Sequence, residues 1–403
     1  MEAPHEEVKI ENQEQIEDVG TPILPSHTPL SEIIGPASPL AQRLALLEKS
    51  LRVRTAEDLL KVPKAELKRV LPGAAVEARN LLHEVSIHLC PAPLPALALA
   101  SDPSFTHKLK LGCPLLDQCL GGGLLPRHIT EIAGEAGSGK TQLCLQLALQ
   151  VQLPPEEGGL GGGAIYIGTE GNFPQRRLDQ LHEAFRHKHA HVFPPRRKGF
   201  DLRDNIYIKH VGSIDQLFHS MLKQVPPLVQ QRNVRLVIVD SIAALLRYEY
   251  GSGTSQMVER SRVLFSQANQ LKQIADQLQV VVVVINQVSD YVDDSRLVLS
   301  DFAAHKKRVV PALGLAWSNC INSRLLLSKT RSTYRGAVSS STVSNASDDD
   351  GEGEEGQERK PKKRRVSNEV TVGIRDMKVV FSPYIPNNSC SFIIEGDGVR
   401  GVE

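Results

Sequence analysis

Residues 134–141, Gly-Glu-Ala-Gly-Ser-Gly-Lys-Thr, fit the pattern G-x-x-x-x-G-K-[ST], and the apolar run 129–133 before them reads as a buried strand. A strand that opens into such a loop and continues as a helix leaves few folds available. Its glycines let successive backbone N–H groups converge on one anion, and the helix that follows turns its positive N-terminus to the same point. Gly134, Gly137 and Gly139 supply the turn, with Glu135, Ala136 and Ser138 between them. Lys140 can reach the β- and γ-phosphates of a nucleotide, and the Thr141 hydroxyl can ligate Mg²⁺. The spacing predicts the helix over 142–150.

Three later segments narrow the chemistry. Residues 236–240 form an apolar strand ending in Asp240, the form expected of a Mg²⁺-holding carboxylate, although an aspartate there can equally be a helix N-cap. A second buried strand, 164–168, leads to Glu170 about thirty residues beyond the loop, the spacing of a βαβ unit, and makes Glu170 a candidate to polarise water. A third, 280–285, is wholly apolar, and Asn286-Gln287-Val288 is expected to end it with an amide that can contact a γ-phosphate. Strand ends on one edge of a parallel sheet converge on one crevice.

In this order the pieces resemble the RecA-type recombinase core in its eukaryotic form, over about 111–401. The resemblance rests on Leu111-Gly-Cys-Pro-Leu-Leu-Asp, Tyr166-Ile-Gly-Thr-Glu170, Asp240-Ser241 and Asn286-Gln287-Val288, while the segments 311–319 and 390–401 point to a recombinase paralogue. It implies an α/β fold: a RecA-like P-loop ATPase core with a mostly parallel twisted sheet, preceded by a small all-α N-terminal domain. It implies ATP and Mg²⁺ as cofactors, Glu170 and Gln287 as catalytic residues, and Thr141 with Asp240 as the metal ligands. The function it implies is homologous-recombination repair of DNA double-strand breaks. There the chain would bind single-stranded or branched DNA with a partner paralogue, and would contact the main recombinase filament. A weak DNA-dependent ATPase is the expected activity. Two alternatives stay open: a scaffold that ATP stabilises with negligible turnover, and a true strand-exchange recombinase.

A chain of 403 residues with 41% hydrophobic content can bury one large core and a small extra domain. No stretch of about eighteen apolar residues is free of charge, so no membrane span is expected, and the acidic start lacks a signal peptide's basic residues. The six cysteines, at 90, 113, 119, 144, 320 and 390, form no C-x-x-C pair and suit free thiols better than disulfides or zinc. With a net charge of +1, any nucleic-acid surface must be local.

Composition divides the chain into a disordered tail (1–40), a helical domain (41–90) with a helix start capped by Thr55, a proline-rich linker (91–107) and the core (108–403). Lys61, Lys64, Lys68 and Arg69 either contact phosphates or form a solvated face. In filament-forming members of the family the linker carries a Phe-x-x-Ala tether. Here Phe105-Thr-His-Lys108 lacks the alanine, which favours a different partner. The glycine run 158–163 precedes a strand and reads as a loop rather than a dinucleotide fingerprint. DNA contact is expected from two loops. The first spans about 247–260 and includes Arg247. The second spans about 289–310, where Phe302 stands beside Lys306, Lys307 and Arg308, an aromatic among cations as single-strand binding needs. Four aspartates in that second loop oppose phosphate binding, and a plain solvated loop remains the alternative. An insert at 331–368 joins an acidic block to a proline-broken basic cluster, 359–365, which resembles a signal for a nuclear import receptor or else neutralises its acidic neighbour. Localisation is therefore expected to be nuclear, with a cytoplasmic pool allowed. Ser347, before three aspartates, fits an acid-directed kinase.

Overall fold

The computed structural model describes residues 28–71, 73–90, 93–102, 106–193, 201–249, 254–290, 309–337 and 369–403. The chain forms two compact units, Met1–Pro91 and Ala92–Glu403.

The first unit is helical: Leu30–Ile33, Ala41–Leu51, Ala56–Lys61, Lys64–Val70 and Ala74–Leu89. Thr55 starts the third helix with a capping box. Its hydroxyl accepts from the Asp58 backbone N–H at 3.2 Å, and the Asp58 carboxylate accepts from the Thr55 N–H at 3.1 Å. Leu47, Leu59, Leu67, Leu81 and Val85 are fully buried, each contributing about 1.5–3 kcal/mol relative to exposure. This core starts earlier than the sequence suggests. Leu30, Ile34 and Leu40 belong to it, and Leu30 and Ala56 backbone N–H groups bond the Arg54 and Thr28 carbonyls. A tail running to residue 40 is thus too long: a helix of four residues among several prolines is too short to display a period, yet it buries an i, i+4 apolar pair. The linker region likewise contains a short helix, Ala96–Ser101, with no buried residue.

The second unit is built on a ten-stranded sheet. Its strands are β1 (Ile129–Gly134), β2 (Gly163–Gly168), β3 (Ile206–His210), β4 (Val234–Asp240), β5 (Val281–Asp290), β6 (Val309–Pro311), β7 (Ser323–Ala337), β8 (Glu369–Phe381), β9 (Ser389–Glu395) and β10 (Gly398–Val402). The order is β10-β9-β8-β7-β1-β5-β4-β2-β3, with β6 paired to β5. From β7 to β3 all neighbours are parallel, and β8, β9 and β10 extend the sheet as an antiparallel wing. Because β5 lies at the centre, both its faces must be covered, which explains five consecutive buried valine and isoleucine residues from Val281 to Ile285. Val281, Val283 and Ile285 share a core with Leu143 and Leu147 of the helix Lys140–Gln150. The helices Ile242–Glu249 and Thr254–Gln277 also pack on β5. This is the expected α/β, RecA-like arrangement with a mostly parallel sheet.

Two boundaries differ from expectation. β5 does not end at Asn286 but continues to Asp290, because Val288, Ser289 and Asp290 find antiparallel partners in Pro311, Val310 and Val309. Residues 331–337 are not insert but the far end of β7, paired with β8 beyond an irregularity between Lys329 and Thr333. Their polar composition hides the strand, since a two-stranded arm in solvent needs no apolar face. No helix among the described residues is long and apolar enough to cross a membrane.

Candidate nucleotide site

The ladder brings the expected pieces to one edge. Gly134 at the end of β1 lies beside Gln287 of β5 and Leu327 of β7, and Gly168 at the end of β2 lies beside Asp240 of β4. Between them opens a cavity of about 430 Å³ lined by Gly134, Glu135, Ala136, Gly137, Lys140, Thr141, Glu170, Asp240, Ser241, Ile285, Gln287 and Val288. Two glycines make this loop possible. A Cβ on Gly134 would stand 2.4 Å from the Leu327 carbonyl oxygen, and Gly139, which caps the helix Lys140–Gln150, has a φ of 107°. Ser138, between them, is buried, and its hydroxyl has no partner among the described residues.

The Lys140 ammonium donates to the carbonyls of Gly134 and Glu135, at 2.7 and 2.9 Å, and so folds over the loop. Burial holds its pKa below the ordinary lysine value, and the Asp240 carboxylate opposes that shift. Thr141 Oγ1 donates to Asp240 Oδ2 at 3.0 Å, and the Tyr166 hydroxyl donates to the same oxygen. Burial, with the Asp240 charge behind it, pushes the Tyr166 phenol well above its usual range, so it stays a neutral donor. The Asp240–Ser241 peptide is cis, and the Ser241 N–H and carbonyl both bond the Thr169 hydroxyl, tying the ends of β4 and β2. Glu170 is exposed and accepts from Gln287 Nε2 at 2.8 Å. Thus a lysine, a hydroxyl with its carboxylate, a second carboxylate and an amide meet around one cavity. Two oxygen donors 3.0 Å apart, Thr141 and Asp240, make a set that suits Mg²⁺.

Sequence reasoning passed over several supports. Tyr166 is one. Lys329 and Arg375 are others: the Lys329 backbone N–H reaches Glu135 Oε1 at 3.4 Å, and Arg375 Nε reaches the Gly137 carbonyl at 3.3 Å, so β7 and β8 brace the loop. A basic residue facing a glycine-rich loop from distant strands leaves no local signature. Behind the cavity, Glu131 is fully buried and receives hydrogen bonds from Arg324, from Asn286 Nδ2 at 2.6 Å and from Trp317 Nε1 at 2.9 Å. A second cavity of about 300 Å³, lined by Phe173, Pro174, Lys209 and His210 among others, shares Thr141, Glu170 and Asp240 with the first.

Of the expected DNA-contact residues, Arg247 alone is among the described residues. Arg247 lies in the helix Ile242–Glu249 rather than in a loop, and Arg260 lies in the helix Thr254–Gln277, donating to the Ala312 carbonyl at 2.8 Å. The first expected loop is therefore helical on both sides, because Ile242, Leu245 and Leu246, and then Leu264, Ala268, Leu271 and Ala275, are buried at helical spacing. Phe302, Lys306, Lys307 and Arg308 lie outside the described residues, as do Phe105, Ser347 and the basic cluster 359–365.

Residues 105–346 match the family described as Rad51. The chain is 34% identical to the DNA repair protein XRCC3 of Mus musculus, over 90% of this chain and 96% of that protein. It is 35% identical to the DNA repair protein XRCC3 homolog of Arabidopsis thaliana, over 74% of this chain and 94% of that one. It is 32% identical to the DNA repair protein rhp57 of Schizosaccharomyces pombe, over 68% and 81% respectively. A RecA-like sheet, a glycine-rich loop at the end of β1 and these relatives agree: the chain belongs to the Rad51 family, as an XRCC3-like paralogue.

Proposed function

We propose that this chain is an ATP-binding recombinase paralogue in homologous-recombination repair of DNA double-strand breaks, engaging single-stranded or branched DNA together with a partner paralogue. One observation carries the reading: Lys140, Thr141, Asp240, Glu170 and Gln287 line one cavity at the ends of parallel strands. The process comes from the relatives, whose names describe DNA repair proteins.

The residues divide the work. The loop N–H groups and Lys140 bind the β- and γ-phosphates, and Lys140 must release the Gly134 and Glu135 carbonyls to do so. Thr141 and Asp240 would hold Mg²⁺, which when bound supplies positive charge against the phosphates. Tyr166 fixes the Asp240 carboxylate by its hydrogen bond. Glu170 orients the attacking water and accepts its proton, while Gln287 positions Glu170 and offers its amide to a γ-phosphate. Because Glu170 is exposed, nothing among the described residues excludes bulk water from it, and weak turnover follows until a partner subunit covers the edge.

The Gln287–Glu170 hydrogen bond also favours a second reading, a scaffold in which the carboxylate stays engaged and ATP only stabilises a subunit interface. Single-turnover ATP hydrolysis, with and without single-stranded DNA, on protein purified with its co-isolating partner separates the two. Hydrolysis stimulated by DNA supports the proposed activity. Tight binding without hydrolysis makes the scaffold the function, and vigorous turnover with filament growth in the partner's absence makes the chain a strand-exchange enzyme. Nuclear entry is assigned to the cluster 359–365. Replacing Lys362, Lys363, Arg364 and Arg365 by Ala should leave the protein outside the nucleus in cells lacking its partner.

A further inference from the structure

Three side chains that the nucleotide chemistry does not use converge at the opposite edge of the sheet. Glu157 closes the short 3-10 helix Pro155–Glu157, which precedes β2. His189 and His191 follow the helix Gln175–Lys188, the crossover between the parallel strands β2 and β3. A crossover must return to the edge where the strands begin, so its C-terminal end lies away from the phosphate loop. There, one ligand atom from each of Glu157, His189 and His191 lies within 4.8 Å of the other two. His191 Nε2 and Glu157 Oε1 are 3.1 Å apart.

His189 is the informative member. It is only 8% exposed, and neither ring nitrogen has a hydrogen-bond partner among the described residues. A buried polar group is ordinarily satisfied, and an imidazole left bare costs free energy that an ion pair between its two neighbours does not return. Its ring is held in place by Phe185, with ring centroids 4.5 Å apart, and its carbonyl accepts from the N–H groups of Val192 and Phe193, which fixes the turn that brings His191 round. The position is therefore built, while His191 and Glu157, both substantially exposed, are free to adjust.

We propose that Glu157, His189 and His191 form a site for a divalent transition metal, zinc being the cellular ion that best fits, with solvent completing the coordination. Two imidazoles and one carboxylate are a zinc donor set, whereas Mg²⁺ and Ca²⁺ call for oxygen ligands throughout. Tetrahedral zinc with arms of about 2.0–2.1 Å sets its ligand atoms about 3.3 Å apart, so the side chains need only close in by rotation. Burial holds the His189 ring below the ordinary histidine pKa, which keeps it in the neutral form that donates a lone pair. The ion would staple the loop before β2 to the end of the crossover. This stabilises the edge that faces away from the nucleotide and stands apart from the ATP reading.

The test uses the full chain, with its co-isolating partner, stripped by a chelator and titrated with zinc alone against a chromophoric competitor. One equivalent should bind at micromolar affinity or tighter, X-ray absorption should show imidazole in the shell, and the thermal midpoint should rise with zinc. His191→Ala and Glu157→Gln change exposed side chains and should leave the fold intact, yet each should weaken binding by about tenfold or more and remove the thermal shift. His187→Ala, in the helix Gln175–Lys188 just before the site, should do neither. Failure to take up zinc at micromolar concentration overturns the site, and so does uptake that survives both ligand variants, which would place the ion on cysteines elsewhere.

Discussion

Asn286 and Gln287 are neighbours in β5 with similar side chains and opposite fates. Strand alternation turns Asn286 to the covered face, where it is fully buried and bonds Glu131, and turns Gln287 to the cavity, where it bonds the exposed Glu170. Each carboxylate thus has its amide. On the covered face Glu131 is surrounded by Arg324, its direct neighbour across the ladder, and by Trp317, and no water can replace either. In the cavity the side-chain hydrogen bonds of Lys140 to the loop carbonyls, of Thr141 to Asp240 and of Gln287 to Glu170 join groups that a ligand can compete for. The difference teaches that residue type does not separate support from function in this sheet; burial and the identity of the partner do.

The comparison breaks most visibly at Arg324. Arg324→Leu leaves the Glu131 carboxylate buried without its counter-ion, and removing one member of such a pair costs about 3–5 kcal/mol. Denaturant unfolding should register that loss, while ATP affinity of the folded fraction stays near native. A double variant with Glu131→Leu should recover much of it, because no buried charge remains. Stability unchanged by the single substitution would remove the network from the fold's supports.

On the cavity side the effects should fall on ligand and rate rather than on folding. Glu170→Gln keeps an acceptor for Gln287 but removes the base, so nucleotide binding should persist while single-turnover hydrolysis falls by about 100-fold or more. Turnover equal to native would take Glu170 out of the water-activating role. Lys140→Ala should weaken equilibrium ATP binding by about 1.5–3 kcal/mol, the worth of a charge-assisted contact. Its unfolding free energy should barely move, since the lysine is half-buried and desolvation disfavours its charge. Unchanged ATP affinity would sink the phosphate-binding assignment.

What was legible in the sequence was what short-range pattern can carry. The glycine-rich loop between β1 and its helix sits in eight consecutive residues, each strand end carries its carboxylate or amide within one run, and Thr55 caps with a residue three positions on. The covered network was not legible. Glu131 lies inside an apolar run, and its arginine lies 193 positions away, so only the sheet order brings them together. The same holds for the bracing of the loop by Lys329 and Arg375, and for Glu157 with two histidines more than thirty residues on. The segment 331–337 escaped because its strand is polar, and residues 28–40 because prolines interrupt any period. In each case a long-range contact decided what the local pattern left open.

The smallest effect, and the one that tests whether the cavity communicates, belongs to Gln287. Gln287 does not itself begin the expected second DNA segment, since β5 continues to Asp290 and pairs with β6. The structure offers a firmer route. The Ala312 N–H donates to the Gln287 carbonyl at 2.9 Å, and the Ala312 carbonyl accepts from Arg260 at 2.8 Å, so one residue joins β5 to the helix Thr254–Gln277, which contains the end of the other expected DNA segment. A γ-phosphate that draws the Gln287 amide from Glu170 would shift both connections together, and ADP would leave them as they stand. The coupling is then a difference in DNA affinity between the two nucleotide states, of about 1–3 kcal/mol. Single-stranded DNA binding to the partnered complex should be measured with ADP and with a non-hydrolysable ATP analogue, over several salt concentrations because phosphate contacts are salt-sensitive. Gln287→Ala should bring the two affinities together without abolishing nucleotide binding. A native complex that binds DNA equally in both states would mean that Gln287 only holds Glu170, and the scaffold reading would then account better for the cavity.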